Sequence, residues 1–183
     1  FPIMKKLFSL ILLWATMPAH AQHTNVTQLY DPGAVMRDHS LDFTSMKLAV
    51  EFEPEKGLVK GNITHHFSVI RDRVDSFFLD GPGITVKSAA LQGHKVKYKA
   101  TTEGIWLYPA STLHRGETDS LNVVYNAYPR RGIYFIGWND PNNLSRKQIW
   151  TQGQGIDNRN WFPCYDTPND KLTTELIVKF NKD

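Results

Sequence analysis

The sequence contains a single cysteine, Cys164, in 183 residues. One thiol cannot form an intramolecular disulfide, so a stable fold has to come from a hydrophobic core. With 41% hydrophobic and 21% charged residues, the composition is that of one globular domain and can supply such a core. Free cysteines are among the most frequently buried residues, which predicts that Cys164 lies inside the domain.

Several motifs that identify catalytic sites are also missing from this sequence. None of the seven histidines begins a His-Glu-x-x-His motif, the spacing that places two imidazoles on one helix face for zinc. There is no Gly-x-Ser-x-Gly nucleophile motif and no phosphate-binding loop. His65 and His66 are neighbours in a predicted strand, so their side chains point to opposite faces. The sequence therefore predicts no metal site and no catalytic residue in this chain.

A large excess of one charge is absent too. The formal net charge is +3. Loss of residues 1–21 would remove Lys5 and Lys6 without removing any acid, which would leave a charge of +1. A nearly balanced charge gives no indication of a nucleic-acid partner, because such domains carry a clustered excess of Lys and Arg.

The longest apolar run lies at the N-terminus. Lys5 and Lys6 precede "LFSLILLWATM", and Pro18 and "AHA" follow it, which is the pattern of a secretory signal with a small-residue cleavage site. The run is shorter than the roughly 20 residues that a transmembrane helix needs, so no stable membrane anchor is expected. We predict a signal peptide over 1–21, an N-terminal extension over 22–35, and export to the periplasm or the extracellular space.

Helix-period patterns are missing after this leader, and period-two patterns replace them. Leu41–Phe52 alternates apolar and polar residues with a phase shift near Thr44 and Ser45, which predicts a strand with a bulge. A turn at Pro54–Gly57 leads to a returning run in which alternate residues from Val59 to Val69 share one face. Similar short runs continue to Phe180. The sequence predicts an all-β fold, a twisted multi-strand sheet or sandwich joined mainly by hairpins.

The final apolar run, Thr173–Phe180, has no turn and no returning strand after it. An apolar strand left open at a sheet edge invites pairing with other chains. The three residues Phe1, Pro2 and Ile3 precede the first methionine. Both observations favour the hypothesis that this sequence is a fragment of a longer polypeptide.

The segment "WTQGQGIDNRNWFPCYDTPNDKLT", residues 150–173, differs from the strand-like runs around it. Gln152 and Gln154 are two positions apart, so on a continued strand both amides point to one face, where their oxygens can accept hydrogen bonds from an ammonium. Gly153 and Gly155 leave the backbone open to a close neighbour. A polar edge-strand surface explains the same residues without any ligand.

The second half of this segment predicts a rigid loop. Pro163 and Pro168 each restrict the preceding residue to extended conformations. Asp166 can accept a hydrogen bond from nearby backbone as an Asx-type turn. Either Arg159 or Lys171 is the predicted ion-pair partner of Asp166.

Residues 150–173 resemble the signature near the end of the N-terminal β-domain of the aminopeptidase N family of zinc metallopeptidases, which also includes the leukotriene-A hydrolases. The residues at the family spacing are Gln152, Gln154, Arg159, Pro163, Cys164, Asp166, Pro168 and Lys171. The upstream run "LDFTSMKLAVEFEPEKGLVKGNITHHF" resembles the first hairpin of that domain. The resemblance covers residues 36–183.

This resemblance implies a saddle-like all-β domain over 36–183 that packs against its own C-terminal, zinc-containing catalytic domain. Gln154 would hold the free α-amino group of a peptide substrate, and Gln152 would line the same wall. The other signature residues would fix the loop that carries the glutamines: Arg159, Pro163, Cys164, Asp166, Pro168 and Lys171. Because the family's zinc motifs are absent, the chain alone is expected to bind no catalytic zinc and to be inactive.

A non-catalytic exported β-sandwich that binds peptide or carbohydrate is the alternative interpretation. Exposed aromatic residues would form its binding surface, with Trp106, Tyr108, Tyr134 and Trp138 as candidates. Aromatic residues at alternating strand positions are more often part of a core than of a binding surface. A Gly-x-Met-Glu-Asn strand and a His-Glu-x-x-His motif in a continued reading frame would favour the aminopeptidase, and another β-module would favour the binding protein.

Overall fold

A computed structural model of the protein describes residues 39–180. The predicted signal peptide and the N-terminal extension lie outside these residues. In chain order the strands are β1 (Leu41–Glu53), β2 (Leu58–Val69), β3 (Arg73–Val74), β4 (Phe77–Asp80), β5 (Thr85–Leu91), β6 (His94–Lys95), β7 (Lys97–Ala100), β8 (Gly104–Tyr108), β9 (Leu113–His114), β10 (Thr118–Ala127), β11 (Ile133–Ile136), β12 (Gln148–Thr151) and β13 (Thr173–Lys179). The prediction of an all-β fold is confirmed.

These strands form four sheets. The largest has six strands in the order β13-β1-β2-β10-β5-β6, and β4-β8-β7 form a three-stranded sheet. The pairs β3-β9 and β11-β12 are two-stranded. Helical structure in the described residues is limited to two short 3₁₀ turns, Pro54–Lys56 and Asn158–Asn160. Within this part of the chain no helix is long and apolar enough to cross a membrane.

The first hairpin follows the predicted pattern closely. The register of β1 against β2 shifts between Phe43 and Ser45, at the predicted bulge. The connecting turn ends at Gly57, whose φ of 62° lies in the left-handed region that glycine adopts without strain. Alternate residues of β2 are buried, as the period-two pattern predicts.

The hydrophobic core lies between the six-stranded sheet and the β4-β8-β7 sheet. The rings of Phe67 on β2 and Phe77 on β4 have centroids 5.7 Å apart across this space. Leu79, Ile105 and Leu107 of the smaller sheet are completely buried. Each such side chain contributes about 1.5–3 kcal/mol through its burial, so the core can stabilise the fold without a disulfide.

Not every connection is a hairpin, because β13 returns to lie parallel to β1. The register runs from Ser45 opposite Thr173 to Glu51 opposite Lys179. This pairing makes β13 the edge of the six-stranded sheet, and Leu176 is 58% exposed there. The long chain segment between β12 and β13 is therefore held at both ends by sheets.

We expect Gly61→Ala to destabilise the domain. Gly61 lies opposite Tyr125 in the β2-β10 ladder, and a Cβ at Gly61 would overlap the Tyr125 ring. That ring is completely buried, so a shift of the ring would disturb its neighbours in the core. The free energy of unfolding should fall by about 1–3 kcal/mol, measured by urea titration.

The matched background for this test is Tyr125→Leu, which removes the ring that causes the collision. The cost of Gly61→Ala should be smaller in that background than in the native chain. An equal cost in both backgrounds would show that the collision with Tyr125 is not the cause.

Candidate functional site

The two signature glutamines lie where β12 ends. The strand ends at Thr151, so the condition under which both amides would point to one face, a strand continued through Gln154, is not met. The backbone N–H of Gln152 still donates to the carbonyl of Gly132 at 2.9 Å, and a turn begins at Gln154. The two side chains nevertheless meet, because Gln152 Nε2 lies 3.4 Å from Gln154 Oε1.

Both glutamine side chains are exposed. When Gln152 donates to Gln154, the oxygen of Gln152 keeps both lone pairs and the oxygen of Gln154 keeps one. The pair therefore offers at least two acceptor positions close together on an exposed turn. Such a pair can bind a group that carries several N–H donors, such as an ammonium.

Close packing fixes the start of this turn. A Cβ at Gly153 would overlap the side-chain amide of Asn158, so the close neighbour expected at this glycine is present. Gly132 has a φ of 81°, and a Cβ there would collide with the carbonyl of Asp157. The turn thus rests directly on the backbone where β11 begins.

A buried network of one arginine and two aspartates holds the rest of the loop. Arg159 donates from Nε to Asp166 Oδ2 at 3.2 Å and from Nη2 to the Asp166 carbonyl at 2.8 Å. Its Nη1 lies 3.1 Å from Asp80 Oδ1. Asp80 and Asp166 are only 4% and 9% exposed. Arg159 therefore supplies a charged partner to both carboxylates.

Backbone groups complete this network. The backbone N–H of Arg159 donates to Asp166 Oδ2 at 3.0 Å, and the N–H of Asp166 donates to Asp80 Oδ2 at 2.9 Å. The predicted Asx-type turn is wrong in form, because the carboxylate of Asp166 accepts from backbone seven positions earlier. Of the two predicted cations, Arg159 pairs with Asp166, and Lys171 is exposed.

The sequence pattern missed Asp80. It ends an apolar strand, and its backbone pairs with that of Cys164, with Asp80 N–H to Cys164 O at 2.8 Å and Cys164 N–H to Asp80 O at 3.1 Å. The signal in the sequence was the carboxylate that ends the apolar run "SFFLD". A carboxylate next to buried residues needs a buried partner, because its burial is otherwise costly. Cys164 itself is buried, as predicted.

His65 ties the six-stranded sheet to the same loop. Its Nε2 is 2.8 Å from the carbonyl of Pro163, to which it donates. Burial lowers the pKa of His65 to about 4, against the opposing effect of this hydrogen bond, so the imidazole is neutral at pH 7. His66 is exposed, which confirms that the two neighbours point to opposite faces.

A pocket of about 290 Å³ lies between the loop and strands β1, β2 and β13. Its lining includes Phe43, His65, Phe162 and Asp170. Asp170 Oδ2 accepts the backbone N–H of Phe43 at 3.0 Å, which attaches this part of the loop to β1. Pro168, also in the lining, is exposed. Across residues 39–180 no three His, Cys, Asp or Glu side chains form a group that could hold a metal ion.

The aromatic candidates of the alternative interpretation lie on two different sheets. Trp106 and Tyr108 lie on β8, where they are 39% and 38% exposed. Tyr134 lies on β11, and Trp138 follows that strand and donates from Nε1 to the carbonyl of Gln148 at 3.0 Å. The sequence pattern did not identify Trp150, which is 43% exposed and stacks on Tyr134.

Comparison with known proteins gives consistent matches. The family model of the peptidase M1 N-terminal domain matches residues 29–183. Leucine aminopeptidase 2-2 of Scheffersomyces stipitis is 22% identical over 153 residues, which are 81% of this chain and 24% of that protein. Probable aminopeptidase 1 of Sulfurisphaera tokodaii is 28% identical over 109 residues, 57% of this chain and 12% of that protein.

Solved structures show the same fold. The M1 zinc metallopeptidase from Deinococcus radiodurans matches with a TM-score of 0.63 and 22% identity, over 77% of this chain and 32% of that one. Native yeast LTA4 hydrolase matches with a TM-score of 0.64 and 15% identity, over 85% of this chain and 26% of that one. The chain spans about a quarter to a third of the length of these structures.

Proposed function

Because this chain belongs to the peptidase M1 N-terminal domain family, we propose that it is the substrate-binding N-terminal domain of a zinc aminopeptidase. The enzyme removes single residues from the free N-terminus of peptides. The proposal is supported by the names of the relatives, which are aminopeptidases and zinc metallopeptidases. The observation that carries it is the pair of adjacent, exposed glutamine amides, Gln152 and Gln154.

Gln154 binds the α-ammonium group of the peptide in this proposal. Its side-chain oxygen accepts a hydrogen bond from the ammonium, and the amide of Gln152 orients that oxygen by donating to it from the other side. When the amine is held at a fixed point, the first peptide bond lies at a fixed distance from the glutamines. Cleavage is therefore limited to that bond, and one residue is removed at a time. A peptide with an acetylated N-terminus lacks the ammonium and its donors.

The buried network has a structural role in this proposal. Arg159, Asp166 and Asp80 hold the loop that follows the glutamines, and Pro163 and Cys164 attach it to β2 and β4. Charge-assisted hydrogen bonds to two buried carboxylates hold Arg159 in place. The backbone that carries the glutamines is thus held in place before a peptide binds.

The described residues do not fit the zinc of the family, because they bring no set of three metal-ligating side chains together. We assign no step of peptide hydrolysis to this chain. In our proposal a separate catalytic domain holds the zinc, and the 183-residue chain by itself does not hydrolyse peptides.

The test uses the full-length enzyme with Gln154→Ala. The loss of a hydrogen bond to a charged group costs about 1.5–3 kcal/mol, so kcat/KM for an aminoacyl chromogenic substrate should fall about tenfold to hundredfold. The N-acetylated form of the same substrate should not be cleaved by either enzyme.

Gln148→Ala is the matched control, since Gln148 is an exposed glutamine on the same hairpin. It should leave kcat/KM unchanged. Wild-type activity in Gln154→Ala, or efficient cleavage of the acetylated substrate, would contradict the amine-binding role.

A further inference from the structure

We propose that Tyr134 and Trp150 form a stacking surface for a bulky apolar or aromatic side chain of the peptide, close to its free amine. This inference rests on the proposed function, because it takes Gln152 and Gln154 as the place where the amine is bound. It adds a preference for particular peptides, which the glutamines alone do not provide.

The two aromatic side chains form a defined pair. Tyr134 and Trp150 lie directly opposite each other in the β11-β12 ladder. Their ring centroids are 4.5 Å apart and the planes differ by 20°, so the rings are stacked. Stacking holds the indole in one orientation, and 43% of Trp150 remains exposed. An exposed and already ordered ring can bind a second apolar group at low entropic cost.

One neighbour of this pair is apolar, and its cross-strand partner is the uncharged Gln148. Ile136 lies two positions after Tyr134 on β11, and alternation places both on the same face. Ile136 is 43% exposed, so it extends the apolar surface beside the rings. The ammonium of Lys147 lies 5.2 Å from the ring centroid of Trp138, in a cation-π contact with that ring. The surface therefore suits an uncharged side chain.

The surface continues directly to the glutamines. The hydrogen bond from Gln152 N–H to Gly132 O extends the β11-β12 pairing by one position. The two-residue period of a strand places Gln152 on the same face as Trp150, about 7 Å further along. Gly132, opposite Gln152, carries no side chain of its own, and the Asp157 carbonyl packs against its backbone.

This spacing matches the dimensions of a peptide. An extended peptide advances about 3.4 Å per residue, so 7 Å corresponds to about two residues. If the glutamines bind the amine, a side chain from one of the first three residues reaches the rings. The continuity with the glutamines favours the peptide substrate as occupant over a separate protein partner.

The test compares tetrapeptides in the full-length enzyme. An all-alanine peptide is the reference, and phenylalanine is placed at the first, second or third position. Wild type should prefer phenylalanine at one of these positions. Trp150→Ala should lower kcat/KM for that peptide about tenfold and leave the all-alanine peptide within about twofold. Trp150→Phe should keep the preference.

Trp106→Ala is the matched control, because Trp106 is similarly exposed but lies on another sheet. It should not change the preference. The inference is overturned if wild type shows no preference for phenylalanine, if Trp150→Ala keeps that preference, or if Trp150→Ala slows all peptides equally. The melting temperature of each variant separates a structural loss from a loss of binding.

The two proposals fail in different ways. Gln154→Ala should slow the alanine and phenylalanine peptides by the same factor, because both present the same amine. If Gln154→Ala has no effect on either peptide, the amine-binding role is wrong. The ratio of the two peptides in Trp150→Ala tests the aromatic surface independently of that result.

Discussion

Arg159→Ala should destabilise the domain by about 3–5 kcal/mol, the largest effect expected from a single change. Removal of the guanidinium leaves Asp80 and Asp166 buried without the cation that lies within 3.1 Å and 3.2 Å of their carboxylates. A buried carboxylate that loses its cation keeps the cost of its lost hydration, and the backbone N–H donors to Asp80 and Asp166 offset only part of that cost. Urea unfolding followed by tryptophan fluorescence measures the change, and Trp161 is buried close to the network.

Lys171→Ala is the control for this prediction. Lys171 is a cation in the same loop, but it is exposed. Exposed surface charges contribute about 0–1 kcal/mol, so the variant should unfold close to wild type. In an Asp80→Asn background the cost of Arg159→Ala should shrink, because one of the two buried charges is gone. A loss below about 1 kcal/mol for Arg159→Ala in the native background would contradict the buried network.

The stability of the domain should fall as the pH is lowered from about 6.5 to about 4, because His65 has a pKa of about 4 in the folded state against an ordinary value of 6.5. The unfolded chain binds a proton on this imidazole first, which favours unfolding within that window. The stabilisation is complete above about pH 6.5 and is lost progressively towards pH 4. Across the whole window the loss from His65 approaches about 3 kcal/mol.

His65→Gln isolates this contribution, since glutamine can still donate to the Pro163 carbonyl but does not titrate. The measured quantity is the difference in unfolding free energy between wild type and variant at several pH values. This difference should shrink as the pH falls from 6.5 to 4. A constant difference for His65→Gln would rule out a buried neutral imidazole.

Much of this fold follows from short-range patterns in the sequence. Alternation of apolar residues predicts β1 and β2 with their bulge, because burial of one face repeats every two residues. The same alternation contains no information on which strand pairs with which across long distances. For that reason the parallel pairing of β13 with β1 was not predicted.

In the candidate site too, contacts between residues close in sequence could be predicted, and contacts between distant residues could not. The sequence could limit the ion-pair partner of Asp166 to Arg159 or Lys171, because both lie within seven positions of it, and the structure shows that Arg159 is the partner. Asp80 is 86 positions from Asp166, and no local rule connects them. Tyr134 was noted as an aromatic strand residue, but its contact with Trp150 depends on the register of β11 against β12. Register is a property of the folded hairpin and is not visible in either strand alone.

The parallel pairing of β13 with β1 also determines the order in which the domain can assemble. Thr173 Oγ1 donates to the carbonyl of Thr44, 129 positions away, whereas Lys60 and Glu51 in the first hairpin are nine positions apart. Contacts between distant positions close large loops and form late during folding. While the ribosome adds residues, β1 and β2 can pair long before Thr173 exists. The segment with the glutamines therefore reaches its final position only after Thr173–Lys179 has been synthesised and has paired with β1.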